Sequence, residues 1–277
     1  MTQISDHVYA CHIADAHYMH PGGTNVYFIG DPSREMLLLD TGEHDRSWTK
    51  QILEYWQGLG SPSITGILIS HGHRDHIGGL DRIQEAMGAP VRCHPKLAKE
   101  LRQVLGNQDE IVIPLKSREM LHAGGGVALR ALFTPGHAID HVCFHLAAER
   151  VLFTGDTILG ASSSSVSDLF EYMRTLGKLA KLRVDTVAPA HGPVVPPPRG
   201  RRLVAWYMSH RQEREDQVLG ALGKGIEKVD DMVKDIYPKN LKRDLRRAAA
   251  GNVRTHLDKL RKEERVAEAE ATFRLTR

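Results

Sequence analysis

The sequence predicts a mixed α/β layered domain followed by a smaller, mainly helical domain. Hydrophobic residues make up 41% and charged residues 26% of the 277 residues. These are globular values, and they exclude a disordered chain or a coiled coil. Short β-like runs alternate with helical stretches up to about residue 195. Three consecutive prolines at 196–198 then break any helix or central strand. We therefore expect one domain over residues 1–198 and a second over residues 199–277.

Seven short apolar runs bounded by turn residues predict the strands of the first domain. They are residues 25–29, 36–39, 66–69, 127–133, 141–146, 151–153 and 184–187. Between them, helical spacing occurs at residues 47–57, 81–87, 95–105 and 167–182. Strands that follow one another directly, mixed with strand–helix units, indicate at least two sheet segments.

The second domain has apolar residues at helical spacing. Helices are predicted at residues 203–222, 229–236 and 240–262, and residues 266–275 predict a short hairpin. Three helices followed by a small β element are typical of a winged-helix module. A helical cap on an enzyme gives the same pattern, so both interpretations stay open at this point.

The charge of the chain is divided unevenly. Residues 199–277 hold 20 basic and 13 acidic residues, a net charge of +7, whereas residues 1–198 hold 17 and 21, a net charge of −4. A basic segment on a mildly acidic body favours an anionic partner. The alternative is a solvated helical face that happens to be rich in lysine and arginine.

The cysteines and the first residues bear on the compartment. Cys11, Cys93 and Cys143 are far apart, odd in number and form no CxxC pair, which favours a reducing compartment without disulfides. Cys143 lies in an apolar run and is expected to be a buried structural thiol. The first 20 residues contain no lysine or arginine and no continuous apolar run, so we see no signal or transit peptide. We expect an intracellular, cytoplasmic protein without a membrane partner.

A cluster of candidate metal ligands follows the apolar run 66–69. His71, His73, Asp75 and His76 are four potential ligands within six residues, placed before the helical stretch 81–87. On a loop they can turn toward one point, whereas a regular helix or strand would spread these spacings over different faces. Imidazole nitrogens and a carboxylate suit a borderline metal such as Zn²⁺.

Three more candidate ligands each follow a β-like run. His137 comes after the run 127–133, Asp156 after 151–153 and His191 after 184–187. Residues just beyond strand ends gather at one rim of an α/β fold. Together with the first cluster they make five histidines and two aspartates, which is enough for two metal ions.

The motif HxHxDH at residues 71–76, followed by His137, Asp156 and His191, resembles the metallo-β-lactamase superfamily. The resemblance covers essentially the whole chain, through the runs GTN at 23–25, LDTG at 39–42, HGHRDHIGG, TPGHAIDH, FTGDTILG, DLFEYM, HGPV and SHR at 209–211. It implies an αββα sandwich. These runs are similar to a group of the superfamily that adds a winged-helix-like extension and is associated with endoribonuclease activity on single-stranded RNA. Ser70 stands where the superfamily usually has threonine, which keeps a hydroxyl.

The resemblance also implies a dinuclear zinc site, with Mn²⁺ or Fe²⁺ as further metals that suit the ligands. The first ion would be held by His71, His73 and His137, the second by Asp75, His76 and His191, and Asp156 would bridge them. A metal-bridging hydroxide would attack the substrate. Asp75 would be the catalytic residue that orients or deprotonates it.

Four further residues are candidates for supporting or substrate-binding roles. Asp40 ends the run 36–39 and is expected to hold the ligand loop by hydrogen bonds. His141 either orients a ligand or is a histidine satisfied at a strand start. His210 and Arg211 either meet a substrate phosphate or carboxylate or serve helix packing.

Two substrate classes remain open for the predicted hydrolase. The first is single-stranded RNA, with the basic extension attracting its phosphates. The second is a small thioester, ester, lactone or lactam, as in glyoxalase II-like, polyketide thioesterase-like or lactamase-like relatives, with the extension as a lid. A non-catalytic nucleic-acid binder is disfavoured, because an intact set of seven ligands has little use without chemistry.

Overall fold

A computed structural model describes residues 2–15, 22–107, 110–269 and 272–275. The chain divides into two compact units. Unit 1 contains Met1–Ser165 and Leu182–Arg202, and unit 2 contains Val166–Lys181 and Leu203–Arg277. The boundary expected after residue 198 stays a prediction.

Unit 1 carries two β-sheets and four helices within the described residues. Its strands are Thr2–Ser5 (β1), Val8–Ile13 (β2), Thr24–Gly30 (β3), Glu35–Leu39 (β4), Ser63–Leu68 (β5), Val91–Cys93 (β6), Val112–Pro114 (β7), Met120–Ala123 (β8), Val127–Phe133 (β9), Val142–Leu146 (β10), Val151–Gly155 (β11) and Thr186–Pro189 (β12). Its helices are Arg46–Gly58 (α1), Arg74–Ile77 (α2), Leu80–Met87 (α3) and Ala98–Val104 (α4).

The two sheets follow simple orders. The first runs β1-β2-β3-β4-β5-β6-β7, antiparallel up to β4 and parallel from β4 to β7. The second runs β12-β11-β10-β9-β8, antiparallel except for the parallel pair β11–β12. In both sheets, parallel neighbours bring the carboxyl ends of their strands to one edge.

Strand alternation distributes the apolar residues between two cores. In β3, Val26 and Phe28 join a core that also holds Ile52 of α1, whereas Tyr27 joins a core shared by the two sheets. In that second core the Tyr27 ring meets the Phe153 ring edge-on, with centroids 5.2 Å apart. Successive side chains of a strand point to opposite faces. The first sheet therefore packs against helices on one face and against the second sheet on the other.

Unit 2 is mainly helical. Its elements are Leu169–Leu179 (α5), the greater part of Gly200–Gly223 (α6), Val229–Ile236 (α7), Arg243–Lys262 (α8), Val266–Ala269 (β13) and Thr272–Leu275 (β14). Helices α6, α7 and α8 and the antiparallel β13–β14 pair surround a core of their own, with Val218, Met232, Val253, Leu257 and Phe273 among its residues. The antiparallel pair agrees with the short hairpin predicted at residues 266–275, of which residues 270–271 lie outside the described residues.

Some elements differ from the sequence expectations. The expected ligand loop contains the one-turn helix α2, so Asp75 and His76 are helical residues. Strands β1, β2, β6, β7 and β8 were not predicted, because they are short or interrupted by polar residues. The helix expected at 95–105 begins only at Ala98, and α6 begins at Gly200, directly after the prolines.

The thiols are buried and no helix is suited to a bilayer. Cys11, Cys93 and Cys143 are free and buried. Burial raises the pKa of Cys11 and Cys93 to about 12 and that of Cys143 to about 11, which makes them inert at neutral pH. None of the helices in the described part of the chain combines the length and the apolar character needed to cross a membrane.

Candidate metal centre

The seven candidate ligands lie at the carboxyl ends of strands of unit 1. The segment 71–76 follows β5, His137 follows β9, Asp156 follows β11 directly, and His191 follows β12. The structure brings all seven together in two groups, and the ligand atoms within each group lie within 4.8 Å of one another. The role of these residues as ligands remains a proposal.

The first group consists of three histidines and a carboxylate. His71 Nε2 lies 2.8 Å from His73 Nδ1 and 3.2 Å from His137 Nε2, and the last two atoms are 3.1 Å apart. Asp156 Oδ2 lies 3.6 Å from His137 Nε2. His71 and His137 are buried, whereas His73 is exposed. The group therefore presents one face to the surface of the unit.

The second group contains Asp75, His76 and His191. Asp75 Oδ2 lies 3.0 Å from His191 Nε2 and 3.4 Å from His76 Nε2. The other oxygen of Asp156, Oδ1, lies 3.3 Å from His191 Nε2 and 3.6 Å from His76 Nε2. The two oxygens of Asp156 thus face different groups.

The outer nitrogens of the histidines are fixed by hydrogen bonds. His71 Nδ1 lies 3.1 Å from the Ser70 hydroxyl, and His137 Nδ1 donates to the Ser165 carbonyl at 2.8 Å. His191 Nδ1 meets the Thr24 hydroxyl at 3.1 Å. Such bonds set the tautomer and the direction of the other ring nitrogen. These three rings therefore turn Nε2 inward, whereas His73 presents Nδ1 to the first group.

Asp40 orients the second group. Its Oδ2 accepts from His76 Nδ1 and from the Ser70 hydroxyl, both at 2.8 Å, and its Oδ1 accepts from the Ser70 main-chain N–H at 2.7 Å. Asp40 has a φ of 64°, a conformation that aspartate and asparagine tolerate better than most residues. One carboxylate thereby fixes both the start of the ligand segment and a ligand ring.

His141 supports Asp156 from behind. Its Nε2 accepts from the main-chain N–H of Asp156 at 3.1 Å, and its Nδ1 lies 2.9 Å from the Thr134 hydroxyl. Burial holds the pKa of His141 well below its usual value, so the ring is neutral. Gly155 has a φ of +46°, and a Cβ there would lie 2.7 Å from His141 Nε2. This contact explains why a glycine precedes Asp156.

Several residues that hold the site follow no ligand pattern. Asn25 Nδ2 donates to the carbonyls of Pro189 and Gly192 at 3.0 and 2.8 Å, and so fixes the segment that carries His191. Asp140 Oδ2 accepts from the Gly72 N–H at 2.9 Å. Sequence reasoning assigned them no role. The available signal was their position in two of the runs that carry the resemblance, GTN and TPGHAIDH.

The carboxylates and histidines form a charged cluster. Burial alone would raise the pKa of Asp156, but His76 and His191 hold it below its usual range. The pKa of Asp75 is lowered beside the same two histidines, against the effect of burial. Burial lowers the pKa of His71 well below its usual value. The neighbouring aspartates raise the pKa of His76 and bring that of His191 to about 9, so an ion that binds at the second group has to displace protons from these two rings.

Comparison with known proteins decides the family. A family model described as the metallo-beta-lactamase superfamily matches residues 19–191, which include all seven candidate ligands. The chain belongs to the metallo-beta-lactamase superfamily. The predicted family, fold class and enzyme class, a metal-dependent hydrolase, are therefore confirmed. A second model, the beta-lactamase associated winged helix domain, matches residues 229–274 and confirms the winged-helix interpretation.

Individual relatives within the metallo-beta-lactamase superfamily differ in the fraction of their length that aligns with this chain. The chain is 35% identical to a beta-lactamase-like protein 2 homolog of Drosophila melanogaster, over 87% of this chain and 83% of that protein. It is 32% identical to an atrochrysone carboxyl ACP thioesterase of Pseudocercospora fijiensis, over 82% of this chain and 66% of that protein. It spans 60% of the lactamase-like protein nscB of Aspergillus fumigatus, at 36% identity.

Solved structures support the fold. A metallo-beta-lactamase family protein from Thermus thermophilus superimposes with a TM-score of 0.75 at 23% identity, covering 99% of this chain and all of that chain (100%). A beta-lactamase domain protein from Burkholderia ambifaria gives a TM-score of 0.78 at 18% identity, covering 99% of this chain and 93% of that chain. The likeness extends over the whole chain, and at these identities it concerns the fold.

The metallo-beta-lactamase fold implies divalent metal binding, and the donor set fits such an ion. The outer nitrogens of His71 and His137 are hydrogen bonded, so their Nε2 lone pairs face each other at 3.2 Å. Facing lone pairs repel unless a cation lies between them. Ligands about 2.0–2.1 Å from one ion in tetrahedral geometry lie about 3.3 Å apart. His76 Nε2 is buried and makes no hydrogen bond in the described part of the chain.

The last two predicted residues, His210 and Arg211, lie on α6 in unit 2 of this metallo-beta-lactamase chain. The His210 ring stacks on Trp206, with centroids 5.2 Å apart and planes 9° apart. The Arg211 guanidinium carbon lies 5.4 Å from the centre of the Tyr172 ring, and Arg211 is buried. The packing interpretation accounts for these contacts, and a role in substrate binding stays a prediction.

Proposed function

We propose that the chain is a dinuclear zinc hydrolase. In this proposal His71, His73 and His137 hold one ion, Asp75, His76 and His191 hold the other, and Asp156 bridges them. The observation that carries it is the position of Asp156, whose Oδ2 faces the first group and whose Oδ1 faces the second. Mn²⁺ and Fe²⁺ suit the same nitrogen and oxygen ligands.

The bound ions supply a water of lowered pKa and take up negative charge that develops on the substrate. The other contributions come from side chains. The pKa of Asp75 is lowered by His76 and His191, so its carboxylate is ionised and would accept a hydrogen bond from the attacking water and orient it. Asp40 and His141 keep His76 and Asp156 in position. No serine or cysteine nucleophile is needed.

We propose single-stranded RNA as the substrate. The support is electrostatic and architectural: residues 199–277 carry a net charge of +7, and the winged-helix model matches within them. Phosphate contacts supply most of the affinity of proteins for nucleic acid chains. The phosphodiester is then cleaved by attack of the activated water on phosphorus.

A thioester is the second candidate substrate. It is favoured by the identity of 32% with a protein described as an acyl-carrier-protein thioesterase. The same ligand set would serve this reaction, because the attacked carbonyl also develops a negative oxygen. The basic residues of unit 2 would then have no part in turnover.

The first prediction concerns Asp156. Asp156→Asn removes the charge shared by both groups, and we expect hydrolysis to fall by at least about a thousandfold and metal content to drop below the wild-type value. Metal analysis of the purified protein and steady-state assays measure both effects. Full activity in Asp156→Asn contradicts the dinuclear site.

The control and the substrate panel complete this experiment. Asp231→Asn removes an exposed carboxylate of α7 that pairs with Lys234 at 2.7 Å, and it should keep wild-type activity and metal content. Both variants and the wild type are assayed on single-stranded RNA, an acyl thioester and a chromogenic lactam. Turnover of the thioester with no RNA cleavage above background decides for the second candidate.

A further inference from the structure

We infer that one face of α8 binds the phosphate backbone of single-stranded RNA. The face carries Arg243, Arg247 and Arg254, which we call the arginine stripe. The inference rests on the proposed function for its substrate, and it specifies which residues of the basic unit meet the RNA.

Helical geometry places the stripe on one line. At 3.6 residues per turn, positions 243, 247 and 254 fall within about 40° of one another around the helix axis. All three arginine side chains are exposed. With a rise of 1.5 Å per residue, they are about 6 Å and about 10.5 Å apart along the axis. The stripe is therefore a row of cations about 16 Å long.

The three arginines have no acidic partner in the described part of the chain. No carboxylate there lies within 4 Å of Arg243, Arg247 or Arg254, whereas four other cations of the unit each have one within that distance: Lys224, Lys234, Lys259 and Arg261. Arg261, further along the same face, pairs with Glu268 and lies 3.8 Å from Asp258. Among the described residues, unit 2 thus pairs the cation at the end of the face and forms no ion pair with the three arginines of the stripe.

The middle of the stripe is open to close approach. Gly251 is exposed and lies between Arg247 and Arg254 along the helix, whereas Ala250 beside it packs against the core of the unit. A Cβ added at Gly251 would have no atom of the described residues within 4 Å, so the helix is open at this position. A polymer backbone can therefore lie against the helix, with arginine side chains reaching it from both sides of this gap.

A phosphate chain fits this face better than other anionic surfaces. Arginine binds phosphate through two parallel N–H donors. A membrane-bound helix needs large apolar residues beside its cations. Large apolar side chains are lacking on the stripe, and exposed Leu245 lies about 160° away from Arg247 around the axis.

The test measures binding of a fluorescein-labelled single-stranded oligoribonucleotide to the full chain. To prevent cleavage, the measurements use the Asp156→Asn background. Arg243→Gln/Arg247→Gln/Arg254→Gln should weaken RNA binding by at least about tenfold. It should also flatten the plot of log affinity against log salt by about 2, since each phosphate contact on a single strand contributes about 0.7. Arg261→Gln, a paired arginine of the same face, should leave both quantities close to the parent.

Each outcome bears on one of the two proposals. Unchanged RNA affinity and salt dependence in the triple variant overturn the arginine stripe, as does an equal loss in Arg261→Gln. Loss of binding to anionic phospholipid vesicles with unchanged RNA binding assigns the face to membranes and also overturns it. Cleavage of RNA by the metal-loaded parent is measured separately. If the stripe binds RNA but no cleavage occurs, the proposed function fails and the stripe stands.

Discussion

At the scale of single residues, the hydrogen-bond partner behind each candidate ligand sets the direction of that side chain. His71, His137 and His191 each turn Nε2 inward because their Nδ1 atoms meet a hydroxyl or a carbonyl. A free imidazole has two tautomers, and only one of them leaves the inward nitrogen unprotonated. The hydrogen-bond partners therefore fix which nitrogen each of these three rings turns inward.

The prediction at this scale concerns Asp40. Asp40→Asn tolerates the positive φ but replaces one oxygen that accepts from His76 or Ser70 by a donor. We expect the divalent metal affinity to fall by about 10–100-fold, as for other partners of ligating histidines. Titration against a chromophoric chelator measures it.

The control for Asp40→Asn is a substitution at a carboxylate away from the candidate ligands, Asp185. The side chain of Asp185 pairs with Arg201 at 2.7 Å and with Arg150 at 3.3 Å, and neither arginine is a candidate ligand. Asp185→Asn should therefore leave metal affinity unchanged. Equal affinities in Asp40→Asn and the wild type would show that the His76 ring needs no such anchor.

Ligands and their supports differ in how visible they are to sequence reasoning. The segment 71–76 is local, so its spacing alone predicts a metal site. Thr24 meets His191 across 167 positions, and Asp40 meets His76 across 36. Such pairs arise from strand order, which a single sequence does not reveal.

At the scale of elements, β3 connects the first sheet to the segment after β12. Asn25 at its start bonds both carbonyls that flank Ala190–His191, and Tyr27 donates its hydroxyl to the Pro189 carbonyl at 2.6 Å. Strand β3 of the first sheet thereby fixes the position of His191, the candidate ligand that follows β12 of the second sheet.

The prediction at this scale concerns Asn25. Asn25→Ala leaves the buried Gly192 carbonyl without its side-chain donor, while the Pro189 carbonyl keeps the Tyr27 hydroxyl, and we expect the free energy of unfolding to fall by about 1–3 kcal/mol. Activity should fall as well, because His191 loses its fixed position. Urea unfolding and steady-state kinetics measure the two effects.

A second variant at Asn25 separates the effect of losing the amide N–H donors from the effect of losing the amide oxygen. Asn25→Asp keeps the oxygen that meets His12 Nδ1 at 2.8 Å but loses both donors. It should lose as much stability as Asn25→Ala. Wild-type stability in Asn25→Asp would show that the contact with His12, rather than the clamp on the segment, is what matters.

Sequence patterns predicted the long elements of the fold and missed the short ones. The strand 127–133 and the helix 229–236 were predicted with their observed bounds, because both have a clear period and clear ends. Strand β2 was missed because alanine, cysteine and histidine interrupt its apolar pattern. Helix α2 has one turn, which is too short for a period to appear.

At the scale of the whole molecule, unit 2 has an ionic network of its own. Glu215 is buried and meets Lys259 at 2.7 Å and Arg265 at 3.0 Å, with His256 Nδ1 at 4.0 Å. Burial alone would raise the pKa of Glu215, but these bonds lower it from 4.5 to about 2. A carboxyl group whose pKa is lower in the folded than in the unfolded protein stabilises the fold at any pH above its unfolded-state pKa. This stabilisation is lost as the pH falls toward the folded-state pKa.

The prediction at this scale follows from the lowered pKa of Glu215. Glu215→Gln should lower the free energy of unfolding of unit 2 by about 3 kcal/mol near neutral pH, and should flatten its dependence on pH between about 5 and about 2. Urea unfolding followed by circular dichroism, with limited proteolysis to locate the unfolded unit, measures both.

The control for Glu215→Gln lies two residues earlier on α6, at Glu213. Glu213 is exposed, and Glu213→Gln should reproduce the wild-type stability and pH dependence. A steep acid transition that persists in Glu215→Gln would assign the acid sensitivity to groups outside this network.

The elemental composition of the metal centre has a consequence for oxidative stress. Its candidate ligands are all nitrogen and oxygen atoms, and the three thiols are buried with raised pKa values. Peroxides attack thiolates first, so a zinc site with cysteine ligands releases its ion when it is oxidised. The proposed site has no sulfur ligand to lose, so we expect it to keep its metal at peroxide concentrations that release the ion from a thiolate site.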